Sequence, residues 1–125
     1  MKVAVVTVRI LMGLLFVFAS VTYLFKLWPP QELTGNMKLF SGGLEASGYL
    51  MYLLKVTELV CGIAFVSGRY ITLATVLIAP IIVNIFCVHL FLDQTGLPVA
   101  IFLVLANLFL AYNYRKNYET LFAAK

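Results

Sequence analysis

Few residues in this chain have chemistry to offer. Glu58 stands inside an apolar run from Tyr49 to Val66, with Lys55 three positions before it. A charged side chain at bilayer depth costs about 2.5–3.5 kcal/mol on insertion scales, so an ionisable residue in a hydrophobic span is a functional candidate by default. A carboxylate and an ammonium at i, i+3 share a helix face, where they can form a local ion pair. The same carboxylate could instead bind a ligand or handle a proton. Ser20, Asn84 and Asn107 bring hydroxyl and amide groups into three other apolar runs, and His89 is the single histidine.

Counted inward from the outer end of each run at about 1.5 Å per residue, Ser20, Glu58, Asn84 and Asn107 fall roughly 10–14 Å deep. Helical periodicity groups Arg9, Gly13, Phe16, Ser20 and Tyr23 on one face, and Met51, Lys55, Glu58 and Gly62 on another. Pro80, Asn84, Cys87 and Phe91 form a third face, and Leu103, Asn107, Ala111 and Tyr114 a fourth. An unpaired amide or carboxyl is costly in hydrocarbon, so these groups are expected to face one another or a polar pocket. Interhelical hydrogen bonding is the simpler reading of Ser20, Asn84 and Asn107 taken singly, while Gly13 and Gly62 would let helix backbones approach closely. His89 lies about 140° around its helix from Asn84 and shares a face with Asp93. It is placed at the pocket's rim, where an interfacial histidine is the simpler reading than a proton relay to Glu58. Pro80 is expected to bend its helix and free a carbonyl.

Cys61 and Cys87 differ in depth by about 10 Å, too much for a disulfide, and read as small buried hydrophobes. The sequence has no C-x-x-C, paired-histidine, glycine-rich nucleotide or metal-ligand pattern. No autonomous catalytic motif is visible, and neither is a cofactor site; a quinone or a lipid is the ligand class a polar intramembrane pocket would suit.

The elements that carry these residues follow from composition. Of 125 residues 63% are hydrophobic and 11% charged, and the mean hydropathy is +1.03. That leaves too little polar surface to cover a water-soluble globule. Four apolar runs, about 3–27, 49–66, 70–92 and 97–114, each have roughly the 18–25 residues that cross a ~30 Å hydrocarbon layer as a helix. The first is read as a helix rather than a cleaved signal, because it runs on past Ala19 and is interrupted by Arg9. The expectation is an all-α, integral membrane four-helix bundle filling 1–125 as one domain.

Lys2, Arg9, Arg69, Arg115, Lys116 and Lys125 fall on the side shared by both termini, against Lys26 and Lys38 on the other. The positive-inside rule then places the N- and C-termini in the cytoplasm. The net charge of +4 reflects this topology and contact with the lipid bilayer, not nucleic-acid binding. Tyr23, Trp28, Tyr49 and Tyr52 read as an outer aromatic belt, and Tyr70, Tyr112, Tyr114 and Tyr118 as an inner one. The connection 28–48 opens with Pro29-Pro30, which is expected to end the first span. Met37, Leu39, Phe40 and Leu44 suggest an amphipathic piece on the outer surface, a connector or a lid, with Gly42-Gly43 weakening a continuous helix. Ser67-Gly68-Arg69 and Asp93-Gln94-Thr95-Gly96 are tight turns, so the last three spans are antiparallel neighbours.

Taken together, Lys55-x-x-Glu58-x-x-x-Gly62, Gly68-Arg69-Tyr70, Ala79-Pro80-Ile81-Ile82-Val83-Asn84-Ile85, His89-x-Phe91-Leu92-Asp93 and Gly96-Leu97-Pro98 resemble the DoxX family of small four-helix membrane proteins. The resemblance runs from about Arg9 to Phe122 and implies a bacterial cytoplasmic (inner) membrane protein. Glu58, Gly68, Arg69, Pro80, Asn84 and His89 would be its characteristic residues. It further implies association with a membrane or peripheral oxidoreductase, of the thiosulfate:quinone type or in an oxidative-stress system. The expected function is an accessory or ligand-binding subunit with a pocket formed by Glu58, Lys55, Asn84, Asn107, His89 and Ser20. Two alternatives stand beside it. One is a proton-coupled transporter, although small multidrug transporters carry their glutamate in the first span and this chain carries it in the second. The other is a structural or assembly factor, expected if Lys55 or Arg9 fully engages Glu58. Self-association is compatible with each.

Overall fold

The structure is a computed structural model and describes residues 2–27, 33–92, 94–119 and 121. Among these the chain is all-helical: α1 (Lys2–Leu24), α2 (Gly35–Ala46), α3 (Leu50–Ser67), α4 (Ile71–Phe91) and α5 (Leu97–Asn113), with short 3₁₀ turns at Gln94–Gly96 and Arg115–Tyr118. In lipid every backbone N–H and C=O must be satisfied within the segment, which leaves the helix as the form for an isolated apolar run. The four long helices α1, α3, α4 and α5 are long and apolar enough to cross a membrane. Trp28, Pro29-Pro30, Asp93, Phe122 and Lys125 lie outside the described residues.

The four spans close a ring in which α1 packs on α3 and α5, and α4 packs on α3 and α5. Contacts between Arg9 and Gly68, Gly13 and Gly62, and Tyr23 and Tyr52 run α1 against α3 in opposite directions. His89 against Gly96 and Thr72 against Asn117 do the same for α4 and α5. The core at their centre includes Met12, Phe16, Cys61, Phe65, Ile78, Ile82 and Leu110. Gly13 and Gly62 make the α1–α3 seam possible. A Cβ on Gly13 would lie 2.8 Å from the Gly62 carbonyl oxygen, and one on Gly62 would lie 2.9 Å from that of Gly13.

Helix ends are set by local chemistry. Gly68 takes a left-handed φ of 80° and returns its N–H to Ala64, closing α3 as its sequence suggests. The end of α1 is different from the expectation. The helix stops at Leu24, where Lys26 adopts φ 53°, its N–H bonds the Tyr23 carbonyl and the Leu27 N–H bonds that of Thr22. This is a Schellman closure with lysine in the place glycine usually takes, so the span ends before any proline can act on it. The outer connection also departs from expectation: α2 runs unbroken through Gly42-Gly43, with Met37, Phe40, Ser41 and Leu44 half-buried on one side and Leu39 exposed on the other. Tyr118 is buried and donates its hydroxyl to the Thr72 carbonyl, which pins the last 3₁₀ turn to the start of α4; it does not belong to an aromatic belt. Tyr49, Tyr52, Tyr70 and Tyr112 are exposed near helix ends, as a belt requires.

Candidate functional site

The ion pair expected from spacing is present. Lys55 Nζ lies 3.3 Å from Glu58 Oε2, with the Glu58 side chain 6% exposed and that of Lys55 17%. The ammonium also sits 5.7 Å from the centroid of the Tyr23 ring, and Tyr23 meets Tyr52 edge to face. The lysine is thus held between a carboxylate and an aromatic face, two partners that compensate a cation withdrawn from water. Tyr23 came from the α1 stripe that carries Ser20, but nothing in its spacing linked it to Lys55.

Lys55 and Glu58 line a cavity of about 360 Å³ near the α2 end of the bundle. All five helices contribute to it. Asn84 and His89 of α4 border it with the ion pair, and Phe16 of α1, Met37, Phe40 and Leu44 of α2, and Leu103 of α5 supply apolar walls. Asn84 is itself exposed, so the cavity communicates with the outside of the bundle along α4. A concave, mostly apolar space with a few convergent polar groups is the usual form of a small-molecule site. The α2 residues form a stripe at i, i+3, i+4, i+7, a signal present in the sequence but ambiguous until the helix was seen to continue through two glycines.

Four of the six residues expected at the pocket therefore meet there: Lys55, Glu58, Asn84 and His89. The other two do not. Ser20 is fully buried and donates its hydroxyl to the Phe16 carbonyl of its own helix, which leaves the cavity wall to Phe16. Asn107 is 8% exposed and points into the core, where its Oδ1 has no hydrogen-bond partner among the described residues. The antiparallel register of α4 and α5 sets Asn84 near Leu103, so Asn107 lies about one turn farther from α2 than a common level would require. The face of α4 expected to turn inward also differs. Pro80, Asn84 and Phe91 are exposed and Cys87 is half-buried, while Ile71, Ala74, Thr75, Ile78 and Ile82 make the core contact. Cys61 is buried as expected, and both thiols are free.

His89 owes its position to Gly96. A Cβ there would collide with the imidazole, coming within 2.8 Å of Nδ1 and 3.0 Å of Nε2. The glycine of the α4–α5 turn thus makes room for the ring at the cavity rim. Among the described residues no three His, Cys, Asp or Glu side chains gather to hold a metal ion. The polar groups present can donate and accept hydrogen bonds to a neutral or partly charged head, with an ammonium, a carboxylate, an amide and an imidazole around one space.

A ring of four membrane-spanning helices with a polar-edged internal cavity defines a multi-pass membrane protein. The sequence pattern of the DoxX family matches residues 4–90, from the start of α1 nearly to the end of α4, and the chain belongs to that family. The matched stretch includes Lys55, Glu58, Asn84 and His89 and stops before α5, short of the extent expected from the sequence motifs. Searches among curated proteins and among solved structures give no match.

Proposed function

We propose that this DoxX-family protein is an accessory, ligand-binding subunit for a quinone-linked or oxidative-stress system in the bacterial inner membrane. The observation that carries the reading is the cavity in which the Lys55–Glu58 pair, Asn84 and His89 meet beneath the apolar side of α2. A quinone needs a hydrogen-bond partner near each carbonyl, and Lys55 and Asn84 can donate, while the apolar remainder accepts ring and tail. The head of a lipid would use the same groups. A bundle oriented with Lys2, Arg9, Arg69, Arg115 and Lys116 in the cytoplasm sets this cavity near the opposite surface.

The test is thermal unfolding of the purified chain with a panel of quinones and lipids. Stabilisation by one class, abolished in Glu58→Gln and Asn84→Leu, is the expected result; indifference to the whole panel would sink the proposal. A purely structural or assembly role is the second reading, favoured by the ion pair itself, since one carboxylate oxygen of Glu58 is already engaged by Lys55. That reading expects Glu58→Gln to change stability and to leave every ligand response flat.

A further inference from the structure

A second candidate site lies at the other end of the bundle and stands apart from the reading just given. Between α3 and α4 a groove of about 450 Å³ opens on the outside of the bundle. Its mouth is formed by Ser67, Arg69 and Tyr70 at the tight turn, and its walls descend along Val60 and Ile63 on one side and Leu73 and Leu77 on the other. From Tyr70 to Leu77 the groove runs about 10 Å along the helix axis. That is some two-thirds of one leaflet's hydrocarbon depth, about 15 Å. The walls are exposed apolar side chains, with Val60, Ile63, Leu73 and Leu77 each about half exposed.

The mouth is cationic. Arg69 is exposed, and its neighbour Gly68 has the Arg9 guanidinium packed against it, so close that a Cβ would lie 2.9 Å from Arg9 Nη1. Arg9 Nε is buried without a hydrogen-bond partner, and among the described residues neither arginine has an ion pair. The one acidic residue described beyond the ends of the spans on this side is Glu119, and it forms no ion pair either. Arginine is the side chain best fitted to hold a phosphate, because its planar donors match phosphate oxygens two at a time. An apolar channel two-thirds of a leaflet deep, with the unpaired Arg69 guanidinium at its mouth, fits one occupant: an amphiphile with an anionic head and an acyl chain. We infer that the α3–α4 groove is a binding site for an anionic phospholipid, with its phosphate on Arg69 and one acyl chain lying against Ile63, Leu73 and Leu77.

The experiment uses the full chain purified in detergent, offered equal amounts of phosphatidylglycerol and phosphatidylcholine, with retained lipid read by native mass spectrometry. Each arginine near an anionic lipid contributes about fivefold in affinity, the equivalent of about 1 kcal/mol. The expected result is retention of phosphatidylglycerol over phosphatidylcholine, lowered about fivefold in Arg69→Gln. Leu73→Trp, which fills the groove from an exposed position, should reduce retention of both lipids. Arg115→Gln removes a charge from the same end of the bundle, at a side chain already bonded to the Tyr112 carbonyl, and should leave the preference intact. An equal loss in Arg115→Gln would reduce the effect to general surface charge and overturn the site. Displacement of the bound lipid by inorganic phosphate, or indifference to Leu73→Trp, would overturn the acyl-chain component. Absence of any preference in the unaltered protein would overturn the whole inference.

Discussion

Replacing Gly13 with alanine puts the backbone contact between α1 and α3 under test. The new Cβ would sit 2.8 Å from the Gly62 carbonyl oxygen and 2.7 Å from Val66 Cγ2. The valine methyl can rotate away at little cost, but the carbonyl belongs to the α3 backbone, so α1 and α3 must part by about 0.6 Å to restore ordinary contact. Forcing an added methyl into a packed interface costs about 1–3 kcal/mol. Against it, alanine is favoured over glycine within a helix by up to about 1 kcal/mol. The net expectation is a loss of up to about 2 kcal/mol for Gly13→Ala, and the same for Gly62→Ala, whose Cβ meets the Gly13 carbonyl oxygen and the Val17 backbone. The two losses should not add, because helices already separated by one methyl accommodate the second more easily. Gly42→Ala is the control: nothing lies within 4 Å of its Cβ, so only the helix preference acts and stability holds or rises. The assay follows from Cys61, which is 1% exposed and adjoins Gly62 on α3. Thermal unfolding in a Cys87→Ser background, read by a thiol-reactive fluorogenic dye, reports when the core around α3 opens. A Gly13→Ala protein that melts at or above the parent temperature would refute direct backbone contact along this seam.

The Lys55–Glu58 pair should behave as a unit. In a double-mutant cycle of Lys55→Met and Glu58→Gln on unfolding free energy, the coupling should exceed about 1 kcal/mol, and additive effects would mean the two charges do not meet. Asn107→Leu should stabilise the protein by about 1 kcal/mol in the same unfolding assay, since it removes a buried acceptor without a partner, whereas a loss would assign Asn107 a bonded role. Gly96→Ala should displace the His89 ring, seen as shifted imidazole resonances of the single histidine with α-helix content unchanged by circular dichroism.

Much of this architecture follows from elementary solvent physics acting on the chain. Hydrophobic runs of spanning length must satisfy their own backbone groups, so length and hydropathy alone locate α1, α3, α4 and α5 to within a few residues. Features whose partners lie close in sequence were equally legible: the i, i+3 pair of Lys55 and Glu58, the left-handed Gly68, and glycines placed for close helix approach. The rotation of each helix was not. A soluble helix marks its inner face by contrast between apolar and polar residues, but a helix in lipid is apolar on every side and the contrast fades. Asn84 and Asn107 therefore looked equivalent by type and depth. Packing alone turned Asn107 into the core and left Asn84 at the open edge of the cavity. The same is true of α2: its two glycines argue against a continuous helix, and only its seat over Phe16, Lys55 and Glu58 shows which side faces inward. Sequence determined which segments enter the membrane and which charges travel with them. Tertiary packing decided which of those polar groups share a space, because in hydrocarbon that choice rests on shape and hydrogen bonding between helices and not on hydrophobicity.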